Sequence, residues 1–183
     1  MEASRQTTIL MVRRRGSVCM ASDGQITMGH MVIKAGAAKL RRTADGKVLV
    51  GFAGGAADGL ALFTRLEAKL DEYSDNLERA VVELAKEWRT DRALRQLEAQ
   101  IIVCDRAKSF YLAGNGDLMQ PDPEGVLSVG SGSSYALAAA RALIRNTELS
   151  AREIVEEGMR IAGEMCIYTN DRLTIEELAS DGD

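Results

Sequence analysis

Histidine is almost missing from this chain: His30 is the only one among 183 residues. A zinc hydrolase needs two or more imidazole ligands, and no His-Glu-x-x-His occurs. A Ser-His-Asp or Cys-His mechanism would have to pass through His30, which lies in Met28-Gly29-His30-Met31 and reads as an ordinary surface or half-buried side chain. A hydrolase built on this sequence therefore uses some other base. Aromatic residues are also scarce, at 4%, and the net charge of −4 comes from mixed signs. Neither the stacking platforms nor the basic face of a nucleic-acid binder is present. The three cysteines, Cys19, Cys104 and Cys166, form no Cys-x-x-Cys, which suits small buried thiols in a reducing compartment. No apolar run approaches the ~18 residues of a membrane span, and Met1–Gln6 is too polar for a signal peptide. The expectation is a soluble, cytoplasmic protein.

What the chain does have is enough length for one well-cored domain, since ~150 residues is a typical domain size. Residues 7–13 and 17–23 are short apolar or β-branched runs separated by Arg14-Arg15-Gly16. A three-residue hairpin loop with glycine third pairs Arg13 with Ser17 and sets Thr7 opposite Asp23, unless a bulge shifts the register by one. Gln25–Gly29 and Met31–Ala35 read as extended pieces, and Lys47–Ala53 as a buried strand. A helix follows from about Ala56 to Glu72. A second starts at Asp75, with Glu78 as capping-box partner, and places Leu77, Val81, Leu84 and Trp88 on one face. Strands resume at Ala99–Cys104, Ser109–Ala113 and Val126–Val129. Helices then cover Tyr135–Asn146 and, capped by Ser150-x-x-Glu153, the stretch to about Ile167; Arg172–Leu178 closes as a strand or extended tail.

Strand runs alternating with helix pairs exclude a doubly wound parallel sheet. They fit an α+β fold, an αββα sandwich of two antiparallel sheets between helix pairs, in one domain spanning 7–183.

Two glycine-rich segments, Gly51-Phe52-Ala53-Gly54-Gly55 and Gly130-Ser131-Gly132-Ser133-Ser134, stand at strand-to-helix junctions where backbone amides can hold an anion or oxyanion. Neither is followed by the Gly-Lys-Ser/Thr of a P-loop, so no nucleotide site is expected. Thr7-Thr8 is the sharper clue. Without a histidine, a hydroxyl nucleophile can use an N-terminal α-amine of pKa ~8 as its base, provided residues 1–6 are removed as a propeptide or processed segment.

Thr7-Thr8-Ile9, Ser22-Asp23-Gly24-Gln25, Gly51-Phe52-Ala53-Gly54-Gly55, Trp88-Arg89-Thr90-Asp91, Gly114-Asn115-Gly116-Asp117 and Ile167-Tyr168-Thr169-Asn170 together resemble the HslV (ClpQ) family. These are peptidase subunits of bacterial ATP-dependent proteases, related to proteasome β subunits, and the likeness runs from Thr7 to about Leu178. The resemblance implies a threonine endopeptidase with Thr7 as nucleophile, its own amine as base, and Asp23 and Lys39 positioning and activating it. It further implies Ser131 as a support near that amine and the Gly51 backbone N–H as oxyanion donor, a kind of group worth ~3–4 kcal/mol of barrier. It implies a sodium ion held by backbone carbonyls of Gly163, Cys166 and Thr169. As partners it implies a homo-dodecamer of two stacked hexameric rings and the HslU (ClpY) ATPase hexamer, which would bind the ATP and deliver unfolded polypeptides. Two features depart from the family's pattern: six residues precede Thr7, and Gln6 is not the small residue usual before such a threonine. Three rival readings stay open at the level of sequence. One is an anion binder using Gly130–Ser134 for a phosphosugar, another a silent ring subunit that keeps its prefix, and the third a solitary amidase with the same nucleophile.

Overall fold

The computed structural model describes residues 7–178. The first two strands, β1 (Thr8–Arg14) and β2 (Ser17–Ser22), form a hairpin whose loop is only Arg15-Gly16. Both loop residues have positive φ, 51° and 76°, the geometry of a two-residue turn matched to strand twist. Arg14 pairs with Ser17 and Ile9 with Ser22, one residue away from the three-residue-loop register. The expected pairing of Thr7 with Asp23 is therefore corrected: Thr8 is the residue opposite Asp23. The cause is the loop, where Arg15 accepts a left-handed conformation alongside glycine.

Two antiparallel sheets carry the fold. One contains β10 (Val126–Gly130), β1, β2 and β11 (Thr174–Leu178) in that order. The other runs β5 (Leu40–Arg42), β6 (Leu49–Gly54), β7 (Ala99–Cys104), β8 (Ser109–Ala113) and β9 (Leu118–Met119). A separate two-stranded ribbon, β3 (Ile26–Met28) and β4 (Met31–Lys34), projects from the segment between β2 and β5. Helices α1 (Ala56–Glu72) and α2 (Leu77–Thr90) cover the five-stranded sheet; α3 (Ser133–Asn146) and α4 (Ala151–Met165) cover the four-stranded one. This is the αββα sandwich expected.

The strands read as continuous apolar runs because both faces of each sheet are buried. Along β1, Ile9 and Met11 join Val18, Met20, Leu49 and Ile102 in the layer between the sheets, while Leu10 and Val12 join Cys19, Ala21 and Ile154 under α3 and α4. The third layer, around Trp88, Leu84, Phe52 and Ile101, lies beneath α1 and α2. Gly51 belongs to the middle layer, where the sheets approach too closely for a side chain: a Cβ there would meet Met20 Sδ at 2.7 Å and Ile9 Cγ2 at 2.8 Å.

Three helix boundaries differ from the sequence reading, and most strands shift by one or two residues at an end. The N-cap of α2 is Asn76, whose side chain accepts from Arg79 N–H, because Asp75 has φ 63° and cannot lead into a helix. Helix α3 starts two residues early, at Ser133, and α4 stops at Met165, where Cys166 turns extended. The Ser150–Glu153 capping box is present. No helix among the described residues is long and apolar enough to cross a membrane.

Candidate active site

Most of the buried polar residues gather at one end of β1. Asp23, just past β2, is fully buried, and its carboxylate accepts three bonds. Oδ1 takes Thr8 N–H at 2.8 Å and Lys39 Nζ at 2.9 Å, while Oδ2 takes Gln25 N–H at 2.9 Å. Lys39 precedes β5 and is 5% exposed, and it also donates to Gln25 O at 2.6 Å. Burial lowers the Lys39 pKa from the usual lysine value, opposed by the charge and hydrogen bond of Asp23. A lysine made easier to deprotonate in this way suits work beside a proton-transferring nucleophile.

Thr7 is buried at the start of β1, and its carbonyl accepts Ser131 N–H at 2.9 Å. Side chains alternate along a strand, so Thr7 faces the middle layer like Ile9 and Met11, the layer that holds the Lys39 end of β5. Thr8 turns the other way. Its hydroxyl accepts Gly132 N–H at 2.8 Å and shares a 2.7 Å hydrogen bond with the Thr169 hydroxyl. Thr7, Asp23, Lys39 and Ser131 are thus brought to one place by β1, β2, the β5 approach and the junction between β10 and α3.

Gly51 is not brought there in the role expected of it. Phe52 N–H crosses to Lys39 O at 3.2 Å, so the amides of residues 50, 52 and 54 point toward β5, and those of 49, 51 and 53 point toward β7. The Gly51 N–H is spent in the sheet, and glycine is required there by packing. Gly54 has its N–H on the side of the Lys39 bond, two residues beyond it and past the end of β5.

The α3 N-terminus offers little to a free anion. Two of its approach amides, Ser131 N–H and Gly132 N–H, are already bonded to Thr7 O and Thr8 Oγ1. Nor do Cys19 and Cys104 provide a nucleophile, because burial pushes each thiol up to about 12.

A family model of the proteasome subunit matches residues 3–178. The chain belongs to the proteasome-subunit family. An ATP-dependent protease subunit HslV from Pseudothermotoga lettingae is 57% identical over 174 residues, covering 95% of this chain and 98% of the relative. Among solved structures, the eukaryotic HslV from Trypanosoma brucei superposes with a TM-score of 0.90 at 44% identity, over 94% of this chain and 99% of the other. A more distant match, Thiobacillus denitrificans BPH in complex with Epoxomicin, has TM-score 0.72 at 20% identity, over 96% and 100% of the two chains, and shows the fold alone.

In this proteasome-type chain the turn after α4 is a second polar cluster. Gly163 lies in the last turn of α4, Cys166 caps it, and Thr169 N–H returns to Cys166 O at 3.0 Å. Asn170 beside them donates to Ala35 O at 3.0 Å and accepts Gly24 N–H at 3.1 Å, pinching the two ends of the segment that carries β3 and β4. Gln25 Nε2 reaches Ile167 O at 2.9 Å. Thr8, Gly132, Gln25 and Asn170 lie within the motifs quoted from the sequence but are given no role there. The alternation along β1 does signal Thr8, since the neighbour of a cleft residue must face the opposite side, but the turn around Asn170 becomes visible only when the chain is folded. The proposed propeptide, residues 1–6, lies outside the described residues.

Proposed function

We propose that this chain is the threonine-type endopeptidase subunit of a chambered, ATP-dependent protease of the HslV kind, with Thr7 as nucleophile. The observation that carries the reading is the placement of Thr7 at a strand start beside a buried Lys39–Asp23 pair. With Gln6–Thr7 cleaved, the Thr7 α-amine is the base. Thr7 Oγ attacks the scissile carbonyl carbon and its proton passes to the amine. The tetrahedral oxyanion collapses as that proton moves to the leaving nitrogen, giving an ester on Thr7 and a freed amine product. Water, deprotonated by the same amine, then cleaves the ester and restores the hydroxyl. Asp23 anchors Thr8 N–H and the Lys39 ammonium, so both neighbours of Thr7 are fixed before substrate arrives. Gly54 N–H, on the Lys39 side of β6, replaces Gly51 as the oxyanion donor, a contribution of ~3–4 kcal/mol to the barrier. Ser131 supports Thr7 through the backbone bond to its carbonyl.

The ring assembly, two stacked hexamers closed by the HslU ATPase, belongs to the same reading and is supported by the names and full-length match of the HslV relatives. A sodium ion is the expected bound cation. The donors fit: the Gly163 carbonyl belongs to the helix-end set lacking partners within the helix, at the negative end of the α4 dipole, and carbonyl oxygens suit a hard cation. Gly163, Cys166 and Thr169 would hold this ion through backbone oxygens, of which Cys166 O also accepts Thr169 N–H at 3.0 Å; among the described residues no cluster of three or more His, Cys, Asp or Glu is placed to hold a metal. When bound, it supplies fixed positive charge that orders the turn.

An intact-mass spectrum joined to Thr7→Ala tests the mechanism. The expected result is a chain beginning at Thr7 and, in the variant, loss of peptide hydrolysis with the partner ATPase present. Full hydrolysis by Thr7→Ala would overturn it. Persistence of residues 1–6 in an inactive protein would favour a silent ring subunit.

A further inference from the structure

Every backbone and side-chain polar atom of Thr8 is engaged, and the residue is fully buried. Its N–H donates to Asp23 Oδ1 at 2.8 Å, and its carbonyl accepts Asp23 N–H at 3.2 Å. Its hydroxyl accepts Gly132 N–H at 2.8 Å and pairs with Thr169 Oγ1 at 2.7 Å. The partners come from three places: the end of β2, the N-cap of α3, and the turn after α4. Gly132 closes the cluster, since a Cβ there would meet the Thr8 hydroxyl at 2.5 Å and the Thr169 hydroxyl at 2.7 Å. Thr7, by contrast, is held through its carbonyl at Ser131 N–H. The hydroxyl of Thr8 lies on the reverse face of the sheet from the side chain of Thr7, so it cannot touch substrate.

We propose that Thr8 is a positioning residue of the peptidase, its hydroxyl locked between Gly132 N–H and the Thr169 hydroxyl so that the direction of the Thr7 side chain is set from behind the sheet. The proposal rests on Thr7 as nucleophile. Reacting atoms held about 1 Å out of place cost on the order of a hundredfold in rate, and the Thr8 hydroxyl ties β1 to both the N-cap of α3 and the turn after α4, one residue from Thr7. A hydroxyl pair is a directional connection of the kind needed: replacing the Thr8 hydroxyl by an isosteric methyl keeps the volume but leaves Gly132 N–H and the Thr169 hydroxyl without that partner.

The test uses the full chain with Thr8→Val, Thr8→Ser, Thr169→Val and the Thr8→Val/Thr169→Val pair. For each, intact mass reads the chain start, peptide hydrolysis gives kcat and KM, and thermal unfolding gives Tm. The expected result is the same chain start throughout, kcat lowered roughly tenfold to a hundredfold in Thr8→Val with KM within about twofold. Thr8→Ser should recover to within about threefold, and the double variant should be no slower than Thr8→Val, because the two hydroxyls act as one unit. A kcat unchanged in Thr8→Val, a failure of Thr8→Ser to recover, or additive losses in the double variant would each overturn the proposal. If Thr8→Val does not fold, Thr169→Val breaks the same pair from the other side, and an unchanged kcat there is equally fatal. Failure of the nucleophile assignment has its own signature: Thr7→Ala would remain active, whereas failure of this proposal alone leaves Thr7→Ala dead and Thr8→Val fast.

Discussion

Replacing Asp23 by asparagine changes one atom type and the charge, and its cost can be worked from the bonds Asp23 makes. Oδ1 serves two donors, Thr8 N–H and Lys39 Nζ, and Oδ2 serves Gln25 N–H. The better amide orientation keeps the oxygen at Oδ1, which sets an NH2 against Gln25 N–H and leaves that buried donor unpaired, at about 1–3 kcal/mol. The Lys39 ammonium, 5% exposed, also loses its counter-charge. Removing one member of a buried ion pair typically costs about 3–5 kcal/mol, and the unpaired amide is part of that total. For a chain of this size each kcal/mol is ~2–4 °C, so Tm should fall by roughly 6–20 °C at fixed protein concentration. Thermal and denaturant unfolding of Asp23→Asn, Lys39→Met and the double variant give the answer. The double variant should be more stable than Asp23→Asn alone by about 2 kcal/mol, since it removes the orphaned charge as well. All three should be inactive toward peptides when fully folded at 25 °C. A Tm within about 2 °C of the unaltered protein for Asp23→Asn, or a double variant no more stable than that single, would refute the buried-pair account.

Gly51→Ala should destabilise by about 1–3 kcal/mol through overpacking against Met20, Ile9 and Leu40, yet keep its activity per folded molecule, because the Gly51 amide faces β7; denaturant melts paired with peptide assays check both halves. Gly132→Ala meets the Thr8 and Thr169 hydroxyls and should lose stability and activity together in the same assays. Lys39 has a folded pKa below its unfolded value of ~10.4, so the unfolded chain binds the proton more tightly. Stability should therefore rise with pH between the lowered folded value and ~10.4, and Lys39→Met should lose that slope in urea titrations across pH. Cys19 and Cys104, raised to about 12, should resist alkylation at pH 7.5 in the folded protein and label only on unfolding, as read by mass.

Much of this architecture was legible because its strands are buried on both faces and its helices on one. The apolar run of β1 and the stripe of Leu77, Val81, Leu84 and Trp88 state their neighbours directly. What the sequence could not settle was register and direction. Arg15 is not a residue that announces a left-handed turn, so glycine alone suggested a three-residue loop, and the partner of Asp23 moved by one. The same parity hid the amide of Gly51, since the direction of a strand N–H depends on which neighbour bonds first. Asn76 and Asp75 compete for the start of α2 in composition, and only the backbone, with φ 63° at Asp75, decides for Asn76. The candidate site gathers residues from positions 7 to 170, joined by side-chain bonds such as Thr8 to Thr169 that no local pattern encodes.

The one-residue correction strengthens the chemical argument. Had Thr7 paired with Asp23, the carboxylate would have been committed to holding the proposed nucleophile's own backbone. With Thr8 in that place, Asp23 fixes the following amide and the lysine, and Thr7 is left at the strand's end, where a cleaved chain would free its amine. The middle layer between the sheets is apolar and tightly packed up to Ile9 and Gly51, and polar groups begin one residue further on. Charge placed deeper would have to displace that packing, and charge placed further out would be screened by water. Lys39 stands at the boundary, buried enough to lower its pKa and close enough to Asp23 to remain paired. In the proposed mechanism the α-amine is the base, and the chain's single histidine, His30, takes no part.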